Sequence, residues 1–449
     1  MPCTARRGED PSVRPAEFVR DLKPHDIPEA AVHHARRCLL DLAGVAIAGS
    51  ETLMSQLVRE HAVQNFAAPD GGVRLLADGR RASPVGAALA GAATIDSLDA
   101  HDGHDLTKGH AGAAVLPALL AFADTEGELT GAEFITRLVI GYEIGIRAGI
   151  ALHATAPDYH TSGAWNALGC AAIGARSSDL DTDGITHALG IAEYHGPRSQ
   201  MMRCIEHPTM VKDGSAWGAT AGVSAVLLAA RGFTGAPAAT TMTGDPWDDL
   251  GSNWRIGEQY LKPYPVCRWA HPAVRAAIDA VRRHELRAED VDSIEVITFD
   301  PATRLTVRAP GSTEQAQYSL PFSVALAVVH GRLDPAELTS DDPRVRRLAE
   351  HLVVRENPDF TRRFPAERLA SVRLTLAAGR TVESPVRAAR GGPDDPLSDA
   401  ELRDKALRYA APVLGAGRAR HIHELVHDLP AAPDARPLLN ALLSARESF

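Results

Sequence analysis

Through the first 257 residues, apolar side chains recur every three or four positions and almost nothing alternates with period two, so this stretch reads as one helix after another. Residues 27–48 place Ala31, Ala35, Cys38, Leu39, Leu42 and Val45 on one stripe, and Gly49 supplies a stop signal. Further helices are predicted over 53–65, 111–125, 130–149, 164–177, 184–192 and 213–231. The segment 84–98 is dense in alanine and nearly free of polar groups, which predicts a helix packed on all sides. Residues 1–25 are polar and proline-bearing and are expected to fray.

The texture changes after Pro265. A helix over 271–284 is followed by alternation over 293–299, the mark of a half-buried strand. Residues 369–376 and 381–386 read as a hairpin about the turn Ala377-Ala378-Gly379-Arg380. Helices over 319–331 and 341–352, with an entry turn at 334–339, lie between the strands. After a Gly-, Pro- and Asp-rich linker at 391–397, Ser398 with Glu401 three residues on forms a capping box that restarts helix. The fold class is therefore mainly α with a second α+β domain. Residues 1–268 together with 398–449 form the large all-helical domain, and 269–397 form the smaller one.

A chain of 449 residues is long enough for two cores, as this division requires. Its net charge of −10 argues against nucleic acid or an anionic membrane as partner, because both need a basic surface. Cys3, Cys38, Cys170, Cys204 and Cys267 are far apart and lack CxxC spacing, so neither a disulfide framework nor a zinc knuckle is expected. With no long apolar N-terminal region and no uninterrupted apolar span, a cytoplasmic location and no membrane segment are expected.

The densest chemistry lies in residues 99–110, where Asp99, His101, Asp102, His104, Asp105, Lys108 and His110 precede an apolar run. Such a knot is a poor buried helix face, since each group would need its own partner, and it reads as the floor of an active site. Four other stretches join it. In Tyr159-His160-Thr161-Ser162, following His153, Thr161 or Ser162 is placed to cap a helix with His160 near its positive end. The second is Tyr194-His195-Gly196-Pro197-Arg198. The third runs from Arg203 through His207 to Lys212, before a Gly- and Ala-rich helix, and the fourth from Lys262 through Arg268 to His271.

Taken singly, a histidine beside Gly or Pro is as readily a surface or capping residue. Converging, these lysines, arginines and histidines would neutralise two or three carboxylates, while an imidazole supplies a base near neutrality. Asp102 with His101 or His104 has the composition of a metal pair, but no ligand spacing is recognisable and no metal is expected. GxGxxG, Walker and GxSxG patterns are missing, which lowers the case for nucleotide or α/β-hydrolase chemistry.

Several motifs together carry a family resemblance. Asp99-Ala100-His101-Asp102, followed by Gly109-His110-Ala111-Gly112 and an apolar helix, resembles the aspartate-rich segment of the MmgE/PrpD family. Tyr159-His160-Thr161-Ser162-Gly163, Lys212-Asp213-Gly214, Gly232-Phe233-Thr234-Gly235, the segment from Lys262 to His271 and Gln317-Tyr318-Ser319-Leu320-Pro321-Phe322 resemble further segments of that family, from about residue 27 to 440. Its members include 2-methylcitrate dehydratase, cis-aconitate decarboxylase and iminodisuccinate epimerase. The resemblance implies a helical domain built from both chain ends, an α+β lid, a homodimer and a cleft that needs no cofactor. It implies Asp99, His110, His160, Lys212, Lys262 and His271 as catalytic positions, with Tyr318 beside the substrate; Asp102, His101, His104, Arg203 and Arg268, from the polar stretches above, are expected to bind the substrate too. There are departures: His101 replaces an aspartate, Gly103 a threonine and Ala111 a proline, and the loop before His110 is one residue longer. They reshape the wall expected to recognise substrate.

The expected reaction is that of a cofactor-independent, dehydratase-type lyase. It would abstract a proton α to a carboxylate of a small di- or tricarboxylic acid and expel β-hydroxide. His110 or His160 would be the base, Lys212 and Lys262 the carboxylate clamps, and His271 the charge stabiliser or acid. An epimerase or a decarboxylase on a similar substrate shares the carbanion and differs in its fate. A non-catalytic dimeric scaffold is the alternative of another class.

Overall fold

The computed structural model describes residues 13–377 and 379–445. Residues 1–12 with Cys3, the turn residue Ala378 and residues 446–449 lie outside the described residues.

The N-terminal part is built from the helices Glu29–Gly49, Leu53–Asn65, Pro84–Asp96, Gly112–Ala123, Gly131–Thr155, Gly163–Ser177, Thr182–His195 and Ser215–Ala229. Every residue of Gly112–Ala123 is buried, as are Gly86 through Asp96 in the alanine-rich helix. Small residues let these helices meet at backbone distance. A Cβ on Gly169 would come within 2.4 Å of the Gly141 carbonyl oxygen, and one on Gly222 within 2.4 Å of that of Ala167. The site therefore sits on a scaffold with little room to shift.

Some elements differ from expectation. The fraying expected of residues 1–25 does not extend to Val13–Asp21, which is a helix. Ala16, Val19 and Leu22 lie three apart and bury one face against Gly163–Ser177 and Thr182–His195. A two-stranded antiparallel ribbon, Val73–Arg74 with Arg81–Ala82, and the short helix Met201–Glu206 are too brief to leave a periodic signal. The helix expected at 213–231 begins only at Ser215, because Lys212 and Gly214 are both left-handed.

The C-terminal part is α+β. Its sheet has the order Val353–Glu356, Val291–Thr298, Leu369–Leu376, Thr381–Glu383, with Arg387–Ala388 also paired to Leu369–Leu376. The first pair is parallel and the others antiparallel. Val353–Glu356 escaped the sequence pattern because it is a mostly exposed edge with no alternation to read. The helices His271–Arg283 and Leu320–His330 pack against each other, and His271–Arg283 also covers the strand Leu369–Leu376.

Helix Asp399–Leu414 opens with the capping box of Ser398 and Glu401 and returns to lie on Glu29–Gly49. There Lys405 Nζ meets Asp41 Oδ1 at 2.6 Å and the Ala100 carbonyl at 2.7 Å, all out of water. One contiguous apolar core runs from Ala16 to Leu443 through both parts. Among the described residues, no single helix is long and apolar enough to cross a membrane.

Breaking a buried pair from one side leaves a charge without compensation, at about 3–5 kcal/mol. Lys405→Met is expected to lower the melting temperature by several degrees in calorimetry, and adding Asp41→Asn to recover most of the loss. An unchanged melting temperature in the single variant would contradict this role for the pair.

Candidate active site

The loop 97–111 leaves the helix Pro84–Asp96 and feeds Gly112–Ala123. Asp102, fully buried, closes it: Oδ2 accepts from the Gly112 N–H at 3.3 Å, at the positive end of that helix. Burial nonetheless pushes this carboxyl up to about 6. The Asp102 carbonyl oxygen accepts from His110 Nδ1 at 2.5 Å. That bond holds the imidazole proton on Nδ1 and leaves the Nε2 lone pair free. Burial first, then the Lys262 ammonium, holds His110 well below the ordinary imidazole range, so the ring is neutral at pH 7. Nε2 lies 3.9 Å from Asp99 Oδ1 and 4.0 Å from Asp213 Oδ2.

Asp99 anchors the cations. Its Oδ1 accepts from Lys262 Nζ, with both side chains almost wholly buried, and Nζ also reaches the Asp99 carbonyl at 3.3 Å. Burial by itself raises a carboxyl, but the Lys262 ammonium, with that of Lys212, outweighs it and holds Asp99 far below the usual carboxylate range. Lys212 sits at φ 46°, a conformation costing a non-glycine residue about 1–2 kcal/mol. The turn delivers its ammonium to Gln317 Oε1, 4.9 Å from the centre of the Tyr318 ring. The same Gln317 oxygen accepts from the Asp99 N–H at 2.8 Å, and Gln317 Nε2 donates to the Ser97 carbonyl at 2.9 Å. One amide thus ties the helix Thr313–Gln317 to the loop that carries the base.

Ser162 stands where a helix cap was expected, at the start of Gly163–Ser177, but its side chain makes no cap. Its hydroxyl donates to Asp213 Oδ2 and accepts from the His110 N–H at 2.8 Å. Burial, with Asp96 adding repulsion, pushes Asp213 up to about 8, so it keeps a proton at neutrality.

These groups open onto a cleft of about 420 Å³, its mouth included. Asp99, His110, Lys262, Arg268 and Tyr318 share its wall with Lys108, Tyr159, Tyr260 and Arg368. Lys108, Lys262, Arg268 and Arg368 line it together with one carboxylate, that of Asp99; Asp105 pairs with the two arginines, and Lys212 Nζ lies against the Tyr318 ring. The cleft is therefore positive and suited to an anion with more than one carboxylate.

The other expected positions do not reach this wall. His271 is buried nearby, but its Nε2–H is donated to the Val266 carbonyl at 3.0 Å and burial keeps the ring neutral, so it has no proton to give a leaving group. His101 packs edge-on against His110 at 4.5 Å, with Nε2 3.4 Å from Asp96 Oδ1, and acts as support for the base. His104 Nε2 is engaged by Glu258 at 2.9 Å. His160 is half-buried outside the cleft, its Nδ1–H given to the Asp158 carbonyl at 2.8 Å. Arg203 is exposed on the face of Met201–Glu206 opposite Met201 and Ile205, which line the cleft. Among the described residues, no three His, Cys, Asp or Glu side chains converge as metal ligands.

Residues that sequence reasoning missed are partners rather than lone signals. Asp213 and Gln317 adjoin the singled-out Lys212 and Tyr318, so their motifs carried a hint. Arg368, a single charge before a strand, carried none.

The chain is 24% identical over 482 aligned residues to the cis-aconitate decarboxylase-like protein oryM of Aspergillus oryzae, covering 95% of this chain and 96% of that protein. It is 24% identical to cis-aconitate decarboxylase of Aspergillus terreus, covering 95% and 94%, and 24% identical to that of Mus musculus, covering 95% and 92%. Residues 14–248 match the MmgE/PrpD N-terminal domain and residues 264–431 the MmgE/PrpD C-terminal domain. The two matches span both structural parts and every wall residue of the cleft except Tyr260 and Lys262, which lie between them, and the chain belongs to the MmgE/PrpD family.

Proposed function

We propose that this protein is a lyase acting on a small di- or tricarboxylic acid, with His110 as the base that removes a proton α to a carboxylate. The observation that carries this reading is the neutral His110 ring, its Nδ1–H held by a carbonyl and its Nε2 free, beside the Lys262 ammonium, with Lys212 linked to Asp99 through Gln317. The C–H bond breaks, the proton passes to Nε2, and the electron pair moves into the carboxylate, where the lysines balance the growing negative charge. Asp99, 3.9 Å away, stabilises the imidazolium meanwhile. The β C–O bond then breaks and the hydroxide departs with the proton that His110 returns, giving water, an unsaturated acid and a neutral base again.

An imidazolium of such low pKa is a strong acid, which favours this return. Decarboxylation is a second reading, supported by the names of the three relatives. It would begin with loss of CO2, the electron pair of the broken C–C bond staying on carbon, and end with a proton from water on that carbon, because the resting His110 carries none on Nε2. Pairing with a second copy, as in the resemblance, would cover the exposed Trp217 and Leu228 on the helix Ser215–Ala229.

Proton NMR in deuterated water, with citrate, 2-methylcitrate and cis-aconitate, tests the reading. The expected result is an unsaturated acid from a hydroxy acid, with kcat/KM reduced at least about 100-fold in Lys212→Met. CO2 release from cis-aconitate would favour the second reading, and deuterium uptake without elimination an epimerase. No turnover and no ligand-induced melting shift would overturn both lyase readings.

The pH profile follows from the two shifted groups. As pH falls, activity is expected to persist below the ordinary histidine value of 6.5, because His110 protonates only well below it. As pH rises through about 8, Asp213 loses its proton and adds negative charge to the cleft, which repels the anionic substrate and lowers kcat/KM. Asp213→Asn is expected to remove that alkaline limb, and a profile falling near 6.5 on its acid side would contradict the assignment of the base.

A further inference from the structure

The mouth of the cleft holds charge that proton transfer at His110 does not use. Arg268 and Arg368 both line it and are each only 6% exposed. The guanidinium carbon of Arg268 lies 3.7 Å from the centre of the Tyr260 ring, and that ring stands 6.4 Å from His110. A single aromatic ring therefore separates the base from the nearer guanidinium. In both arginines Nε is buried and has no hydrogen-bond partner. Two buried guanidiniums repel each other, and an unmatched N–H on each adds to the cost.

What offsets this is Asp105 Oδ1, 3.0 Å from an Nη1 of Arg368 and 3.9 Å from Nε of Arg268. Asp105 comes from the loop 97–111, whereas Arg268 and Arg368 belong to the C-terminal part. Its side chain is 42% exposed, against 7% and 6% for the two arginines. The guanidiniums are the buried members of this triad, and the Asp105 side chain is partly in water, although its bridging Oδ1 is itself buried and makes no well-aligned hydrogen bond there. A carboxylate bridging two buried arginines at one end, with the Lys262 and Lys212 ammoniums at the other, is the pattern that an acid with separated carboxylates would match.

We propose that Arg268 and Arg368 form a second carboxylate subsite at the cleft mouth, and that Asp105 is its internal stand-in, displaced by the distal carboxylate of the substrate. The exchange replaces one anion by another between the same guanidiniums, so neither arginine is left bare. This rests on the polycarboxylate reading above. It adds Asp105 and Arg368 as residues that set which chain length and carboxylate number the cleft accepts.

Isothermal titration of the full chain with tricarballylate and with methylsuccinate, which lacks one terminal carboxylate, separates the possibilities. Asp105→Asn is expected to bind tricarballylate about tenfold more tightly, and Arg368→Gln about tenfold more weakly, with methylsuccinate affinity in Arg368→Gln held within about twofold. Equal weakening of both ligands by Arg368→Gln, or no tightening by Asp105→Asn, overturns the subsite. If the unaltered protein binds neither acid, the polycarboxylate reading fails, and the subsite is then judged with sodium sulfate as probe. Sulfate binding gained by Asp105→Asn and lost on adding Arg368→Gln supports it, and no gain overturns it.

Discussion

The Asp99–Lys262 ion pair, shut away from water, is the interaction on which the rest of the site depends. An ammonium and a carboxylate in such surroundings are tolerable only while each has its partner. Their pairing fixes the loop 97–111 against the segment that follows Tyr260, and with it the position of His110. Lys212, equally buried, has an amide oxygen as its direct partner instead of a carboxylate. Positive charge is thereby left over, and it gives the cleft its preference for anions.

The low proton affinity of His110 has the same origin. Burial and the nearby Lys262 disfavour the imidazolium, while Asp99, at 3.9 Å, limits that penalty. The ring can therefore exist as a free base at neutrality yet be stabilised when it takes a proton. Groups from distant stretches of chain maintain this balance: the Asp102 carbonyl orients the ring, Ser162 holds its backbone, and Gln317 couples Asp99 to Lys212. Close packing of Gly169 on Gly141 and of Gly222 on Ala167 keeps the supporting helices from drifting.

Much of the architecture was legible in the chain because burial writes a period into it. The helix Leu53–Asn65, the alanine-rich Pro84–Asp96 and the capping box at Ser398 all announced themselves through apolar spacing and capping residues. The polar knot at 99–110 likewise marked the loop that carries Asp99 and His110. Side-chain destinations were less legible. Ser162 had the look of a cap, but its hydroxyl instead donates to the Asp213 carboxyl and accepts from the His110 N–H, both contacts with residues distant in the chain. His104 and His160 share residue type and loop setting with His110, and only long-range contacts with Glu258 and local ones with Asp158 separate them from it. Arg368 and Asp105 come together across the two parts of the fold, a pairing with no local trace.

The central claim is that His110 rests as a neutral imidazole with its proton on Nδ1 and its Nε2 open. Nitrogen-15 NMR of histidine-labelled protein at pH 7, with the His110 signals assigned from the spectrum of His110→Asn, measures this directly. The account predicts a protonated Nδ1 and an unprotonated Nε2. Two protonated nitrogens, or a proton on Nε2 alone, would contradict it.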